Sequence, residues 1–181
     1  MTKEEMDQGF QRVWKLFEET RADFERRSQE AEKRSKELDK KFEALSTKWG
    51  RFVEGLVVPA AEKLLKSRGI QVDRIYQRVK ARKKGKEMEV DILAVDGEHA
   101  VLIEAKSTLG AEDVKEHTER LKVFKEFFPE YADKKVVGAV AGIVIDEGVD
   151  KYAYREGLFV IGQSGESVKI INDKKFKPKI W

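Results

Sequence analysis

The sequence predicts an α/β domain preceded by a long N-terminal coiled-coil helix. Two observations support this fold class: a seven-residue apolar repeat runs through the first 48 residues, and beyond Gly50 the apolar pattern changes to the order α-β-β-β-α-β. We therefore divide the 181 residues into a coiled-coil oligomerisation helix, 1–48, and an α/β domain, 49–181.

The N-terminal segment repeats apolar residues at alternating steps of four and three, which is typical of a left-handed coiled coil. One set is apolar throughout: Phe10, Phe17, Phe24, Ala31, Leu38 and Leu45. The other is polar in its middle: Trp14, Arg21, Ser28, Ser35, Phe42 and Trp49. The alternative is one amphipathic helix packed on its own domain. At 1.5 Å per residue such a helix would be about 68 Å long, more than the domain can cover, so we expect a homo-oligomer, and specifically a dimer.

The elements of the α/β domain follow from apolar spacing and turn residues. A helix is predicted from Gly50 to Gly69, with a kink or fresh turn at Pro59. A strand at 71–79, a turn at 82–86, two strands around the sequence DGEH, a helix at 111–128 and a buried strand ending at Ile145 complete the core. A short helix ending at Gly157 and two short strands follow.

Three charged residues interrupt the apolar strands around DGEH: Asp91, Glu104 and Lys106. Alternation puts Glu104 and Lys106 on one face of their strand. A hairpin loop of four residues, 96–99, would pair Val95 with Ala100 and bring Asp91 opposite Glu104 on that same face. A two-residue loop keeps both acids on one face, whereas an odd loop would separate them.

Two facing carboxylates repel each other and favour a bound cation. Mg²⁺ and similar hard ions prefer carboxylate oxygens, and Lys106 lies beside them to hold a water molecule or a developing charge. The alternative is a structural ion pair between Asp91 and Lys106 with Glu104 in solvent. Because buried ion pairs stabilise less than apolar replacements, we favour a functional site.

The spacing of these charges resembles the signature of the PD-(D/E)XK, or restriction-endonuclease-like, nuclease superfamily, in which an acid precedes a (D/E)-X-K motif. Here the acid is Asp91, and after twelve intervening residues the motif is Glu104-Ala105-Lys106. Val90 stands where the superfamily's name has Pro. The resemblance covers about residues 50–145, and the heptad segment lies outside it. As a whole, the chain resembles archaeal and bacterial members that have a coiled coil before the nuclease core. It implies an αβββαβ core with a mixed central sheet.

This resemblance also implies a function. The chain would be an endonuclease that hydrolyses phosphodiester bonds of DNA with Mg²⁺ or Mn²⁺, RNA being a further possible substrate. Asp91, Glu104 and the backbone carbonyl of Ala105 would bind the metal, and Lys106 would activate the attacking water. Glu54, with Glu62 as second choice, would add an acid from the first core helix. The alternative is a catalytically inactive protein that binds nucleic acid or acts as a scaffold on the same fold.

Six basic residues without an acid occupy positions 78–86 and are candidates for phosphate binding: Arg78, Lys80, Arg82, Lys83, Lys84 and Lys86. A solvated hairpin tip is the equal alternative. The basic C-terminal residues 172–181 are either a disordered tail, which we favour slightly, or a second phosphate contact. For His99 and His117 we expect surface or core roles, since their spacing fits no metal motif.

The composition excludes other classes of site and compartment. Without cysteine the chain has no disulfide, thiolate nucleophile or zinc–cysteine site. The N-terminus has no apolar signal segment, and the longest apolar run, 136–145, is too short to cross a bilayer. We therefore expect a cytoplasmic protein without membrane association.

Overall fold

A computed structural model describes residues 3–181, with side chains described outside 3–7, 10 and 42–51. The elements are α1 (Lys3–Lys66), β1 (Arg74–Lys83), β2 (Lys86–Val95), β3 (His99–Leu109), α2 (Ala111–Phe127), a 3₁₀ turn (Pro129–Tyr131), β4 (Lys135–Ile145), α3 (Val149–Arg155), β5 (Phe159–Ser164) and β6 (Ser167–Ile170). The chain divides into two compact units, Met1–Leu45 and Ser46–Trp181. None of the described helices combines the length and apolar character needed to cross a bilayer.

The first unit contains the N-terminal part of α1. Its heptad residues Phe17, Phe24 and Leu38 are exposed, as are Trp14 and the salt-bridging charges around them. The heptad positions Phe10, Phe42, Leu45 and Trp49 lie outside the residues whose side chains are described. The helix α1 continues past Gly50 and includes Pro59, so the helix predicted at Gly50–Gly69 is the C-terminal part of a longer one.

The second unit is built on a mixed six-stranded sheet in which strand order follows chain order, β1 to β6. The pairs β3–β4 and β4–β5 are parallel, and the others are antiparallel. The strands β3 to β5 carry long runs of buried Val, Ile, Leu and Ala because helices cover both faces, as is usual for parallel strands. The predicted order α-β-β-β-α-β is confirmed for this core.

Each face of the sheet has its own apolar core. Residues Val53, Val57, Ala61 and Leu65 of α1, each four residues apart, pack on one face with Ile92 and Ile103, among others. On the opposite face α2 and α3 contribute Val114, Leu121, Phe124 and Ala153, packed on Leu93 and Leu102. The sheet thus forms the middle layer of a three-layer arrangement.

The C-terminal residues are a correction to the expected tail, because they pack on the sheet. Phe176 is buried against Phe159, with ring centroids 5.3 Å apart. The backbone N–H of Trp181 donates to Val136, and Ile180 forms a bridge with Val137. The chain end therefore closes the apolar core instead of extending into solvent.

We expect Gly138→Ala to lower the free energy of unfolding by about 1–3 kcal/mol. A Cβ at Gly138 in β4 would overlap the methyl groups of Leu121 and Leu158, which would have to shift within a close-packed core because both side chains are buried. Urea unfolding followed by circular dichroism measures the loss. Gly55→Ala is the matched control: its added Cβ meets no atom within 4 Å, so in α1 it should stabilise by about 0.5–1 kcal/mol. Equal effects at both glycines would contradict the packing argument.

Candidate active site at the break in β2

The hairpin register brings the predicted residues to one place. Val95 pairs with Ala100 and Leu93 with Leu102, which confirms the predicted four-residue loop. The β2–β3 pairing ends at Ile92–Ile103, one step before Asp91 would meet Glu104. Instead, the Oδ2 atom of Asp91 accepts a hydrogen bond from the backbone N–H of Ala105 at 2.9 Å.

The pairing of β1 with β2 also skips this position. Gln77 pairs with Ile92 and Val79 with Val90, whereas Arg78 and Asp91 between them do not pair. Arg78 has a φ of 52°, which is rare for a residue with a side chain. Both strands are therefore distorted at the same level of the sheet.

This distortion changes the face that β2 presents. Val90 and Leu93 belong to the same apolar core although they are three residues apart, whereas regular alternation would put them on opposite faces. Ile92 belongs to the opposite core. The switch occurs at Asp91, so its carboxyl group lies at a break in the sheet instead of within an apolar face.

Asp91 is half-buried, and the pKa of its carboxyl group is unusual. Burial and the negative charges of Glu104 and Glu54 raise the pKa of Asp91 to about 6, while the N–H of Ala105 and the charge of Lys106 oppose the shift. A carboxyl group in this state gains stability from a nearby cation.

Glu104 is 3% exposed and lies among cations. Its Oε1 atom is 2.9 Å from Nη2 of Arg120 and 3.1 Å from Nζ of Lys106. Burial alone would raise the pKa of Glu104, but Arg120, His117 and Lys106 together hold it below the ordinary value. Glu104 is consequently the member of the acid pair that loses its proton first as the pH rises.

Lys106 joins Glu104 to the start of α2. Its Nζ atom is also 3.5 Å from Oδ1 of Asp113, whose other carboxylate oxygen accepts the N–H of Gly110 at 2.9 Å. Burial would lower the pKa of Lys106, but Glu104, Asp113 and Asp91 outweigh it and raise the pKa. The ammonium group therefore stays charged and is held in place by acids on two elements.

Glu54 lies at the same end of the unit but is already paired. It is 5% exposed, and its two carboxylate oxygens accept hydrogen bonds from Nε and Nη2 of Arg78 at 3.1 and 2.9 Å. Glu62, the second choice, is exposed. The distorted backbone of Arg78 thus delivers a cation to Glu54, a role for Arg78 different from the predicted contact with phosphate.

The remaining predicted phosphate-binding residues belong mostly to a strand, which corrects the predicted turn at 82–86. Only Lys84 and Gly85 lie between β1 and β2. Lys80 pairs with Glu89 at 2.9 Å and Arg82 with Glu87 at 2.6 Å, and Lys83 donates to the carbonyl of Glu126. Lys83, Lys84 and Lys86 line a groove between this hairpin and α2, where Arg120 and acids also lie.

The structure adds residues that the sequence analysis did not identify: Asp113, His117 and Arg120. They lie four and three residues apart on α2, beside the buried stripe of Val114 and Leu121. Polar residues at helical spacing next to an apolar stripe were the available signal. Of the surface and core roles expected for the histidines, His117 has a core position: it is buried, and its Nε2 atom is 3.2 Å from the carbonyl of Leu102.

We expect His117 to make the protein sensitive to acid. Burial lowers the pKa of His117 to about 4, from 6.5 in an unfolded chain. Its contribution to stability is present above pH 6.5 and is lost as the pH falls towards 4, by about 2 kcal/mol between pH 7 and pH 5. Urea unfolding at several pH values should show that the free energy of unfolding falls less between pH 7 and pH 5 for His117→Gln than for the wild type. The same dependence on pH in both proteins would contradict this role of His117.

The residues fit a hard metal ion in part. Asp91 and Glu104 offer carboxylate oxygens, and Ala105, whose N–H donates to Asp91, pairs with Ala141 in the β3–β4 ladder. Glu54 does not fit, because Arg78 uses both of its oxygens. Within the part of the chain that the structure describes, no group of three or more Asp, Glu or His side chains is gathered as a metal site. The donor set is therefore two carboxylates, of which Asp91 lacks a close cation among its described contacts.

Comparisons with known proteins identify a family but no activity. A family model described as "Domain of unknown function (DUF8196)" matches residues 58–170, and one described as "Protein of unknown function (DUF3782)" matches residues 11–80. A comparison with curated proteins finds no match.

Two solved structures are similar to the chain at low identity. A complex of EndoMS with double-stranded DNA shares 18% identity over 61% of this chain and 44% of its own, with a TM-score of 0.40. The protein of unknown function AF1548 shares 16% identity over 61% of this chain and 57% of its own, with a TM-score of 0.37. The chain thus spans about half the length of these structures.

Proposed function

The chain belongs to the family described as "Domain of unknown function (DUF8196)", and within it we propose a metal-dependent endonuclease that hydrolyses phosphodiester bonds of DNA and forms a homo-oligomer through residues 1–48. The observation that carries this proposal is the position of Asp91: a half-buried carboxyl group at a break in the sheet, hydrogen-bonded to Ala105 between Glu104 and Lys106.

The proposed site divides the chemistry among these residues. Asp91 and Glu104 would hold Mg²⁺ or Mn²⁺, which would supply Lewis-acid activation of the phosphate and of a water molecule. Lys106, fixed by Glu104 and Asp113, would orient the attacking water and stabilise the charge that develops on the phosphate. Lys84 and Lys86, at the hairpin tip, would contact the DNA backbone.

The proposal is tested by cleavage of linear, supercoiled and branched DNA with Mg²⁺ or Mn²⁺. The wild type should cleave at least one form, and Asp91→Ala and Lys106→Ala should each lose at least about a hundredfold in rate. Glu98→Gln, at the exposed tip of the β2–β3 hairpin, is the control that should cleave as the wild type does. Cleavage that survives Asp91→Ala would rule out the assignment.

A second candidate function is a nucleic-acid-binding or scaffold protein without catalysis. It is favoured by the ion pairs that already neutralise two buried acids, Glu54 by Arg78 and Glu104 by Arg120. It predicts binding of DNA that weakens with salt, and no cleavage. In calorimetry it predicts no heat of Mg²⁺ or Mn²⁺ binding beyond the heat measured with DNA alone. Metal binding lost in Asp91→Asn would decide for the endonuclease.

A further inference from the structure

The exposed N-terminal part of α1 has an apolar stripe without a covering partner in its own unit. Trp14, Phe17, Phe24 and Leu38 are between 65% and 73% exposed, although Phe and Leu side chains are usually buried. Phe17, Phe24 and Leu38 are separated by multiples of seven residues, and Trp14 precedes Phe17 by three residues, so all four lie on one side of the helix. An aligned stripe of this kind marks an interface.

Charges of opposite sign flank this stripe on its two sides. The positions that directly follow the Phe and Leu set are acidic from residue 18 onward: Glu18, Glu25, Glu32 and Asp39. The positions three residues after the same set are basic in the second half: Arg27, Arg34 and Lys41. All of these side chains are exposed. In heptad terms, the acidic flank is the e position and the basic flank is the g position.

The sign of each flank determines which direction of pairing is favourable. In a parallel pair, a g residue meets the e residue five positions later in the second copy, so Arg27 faces Glu32 and Arg34 faces Asp39. In an antiparallel pair, g meets g and e meets e, so acids face acids and bases face bases. Parallel pairing therefore makes these two contacts attractive, and antiparallel pairing brings like charges together, which is repulsive.

The charges are available for such contacts. Arg27 now lies 2.9 Å from Asp23, and Glu32 lies 2.6 Å from Lys36, both within the same helix. Exposed pairs of this kind contribute only about 0.3–0.5 kcal/mol, so they do not prevent the side chains from reaching a second helix.

The polar positions of the stripe set the register. With the two helices in register, Arg21, Ser28 and Ser35 each face their own counterpart, and Phe24 faces Phe24. A shift by one heptad would place Trp14 against Arg21 and remove an apolar layer from the end. A polar residue inside a coiled-coil interface is known to select register in this way.

We propose that residues 11–41 of two copies form a parallel, in-register coiled coil, with the second copy of this chain as the occupant of the apolar stripe. This inference rests on the proposed homo-oligomer and specifies its geometry. Both chains then run in one direction, with their helix axes roughly 8–10 Å apart. Both C-terminal units consequently leave the coiled coil at the same end.

Single-cysteine crosslinking of the full chain tests the orientation, because the natural sequence has no cysteine. Arg21→Cys and Leu38→Cys are each oxidised alone and as a mixture in which one chain carries a size tag. In the parallel pair each variant forms a disulfide with its own copy, in more than about tenfold excess over the mixed product. In an antiparallel pair that overlaps over all the heptad positions from 10 to 49, Arg21 would face Leu38. The mixed product would then dominate and overturn the proposal.

A second cysteine pair and a mass measurement guard against a variant that fails to pair. Phe24→Cys and Ser35→Cys face each other only in the antiparallel arrangement, and should again crosslink only with their own copies. Light scattering of the wild type gives the oligomeric mass. A monomeric mass would contradict both the proposed homo-oligomer and this inference. A dimeric mass with mixed crosslinks would contradict only the parallel orientation. Neither result depends on DNA cleavage.

Discussion

Asp91→Asn is expected to abolish metal-dependent cleavage and, in the same protein without metal, to raise the free energy of unfolding at neutral pH by about 2–3 kcal/mol. The amide removes the charge that would bind the metal in the proposed site, and its oxygen can still accept the N–H of Ala105. A substitution that inactivates while it stabilises is the expected signature of a functional carboxyl group at a strained position.

The pH dependence of this gain follows from the sign of the pKa shift. Burial, with Glu104, raises the pKa of Asp91 to about 6, above the 3.8 of an unfolded chain. A raised pKa means that the native state binds the proton more tightly, so this contribution is complete below pH 4 and is lost as the pH rises through 6. The stability difference between Asp91→Asn and the wild type should therefore grow between pH 4 and pH 6 and be constant above.

Urea unfolding in the presence of a chelator, at half-unit steps from pH 4 to pH 7.5, measures this difference. Glu98→Gln removes an exposed acid from the same hairpin and should not show the same growth. A difference independent of pH, or a loss of stability in Asp91→Asn, would contradict an uncompensated charge at Asp91. Added Mg²⁺ should stabilise the wild type more than the variant, since only the wild type binds it by proposal.

Arg120→Met is expected to lower the free energy of unfolding by about 2–4 kcal/mol, because it removes one partner of a buried ion pair. Methionine keeps the apolar stem of arginine but leaves the buried Glu104 with Lys106 as its remaining close cation. The cost is the burial of a poorly compensated charge. It should therefore be larger at pH 7 than at pH 5, where a Glu104 with a raised pKa binds a proton.

A double-mutant cycle isolates this cost. Glu104→Gln combined with Arg120→Met should recover a large part of the lost stability, because the charge is then absent. Lys122→Met is the control on the same helix: its pair with Glu119 is exposed, so the effect should stay within about 0.5 kcal/mol. Additive effects of Glu104→Gln and Arg120→Met would show that the two side chains are not coupled.

Much of the fold could be predicted from local patterns. The Asp96-Gly97 turn and the alternating apolar residues were sufficient to place Val95 opposite Ala100, as the structure confirms. Apolar runs and helix-ending glycines indicated the order of the core elements. The predicted bounds of β1 were wrong, because the run of charged residues around Arg82 indicated a turn. In the structure these residues continue the strand, and Arg82 pairs with Glu87 on the neighbouring strand.

The candidate site was less accessible to sequence reasoning, because its partners come from distant elements. The spacing of Asp91, Glu104 and Lys106 indicated a cluster, but nothing in the hairpin specifies that Arg120 of α2 neutralises Glu104 or that Arg78 occupies Glu54. The rare φ of Arg78 and the end of regular pairing at Asp91 are properties of three-dimensional packing, and alternation counts predicted an uninterrupted pair instead.

The strand order of the sheet has a consequence for how the protein forms. Every strand lies beside the strand synthesised just before it, so each new pairing joins segments that are close in sequence. The three antiparallel pairs are joined by short loops, which close at a small entropic cost, whereas the two parallel pairs form across connections that contain α2 and α3. During synthesis the sheet can therefore grow by one edge at a time, from β1 towards β6, without waiting for a distant strand. Trp181, which is bonded to Val136 of β4, is synthesised after β6, so this contact is made only once all six strands are present.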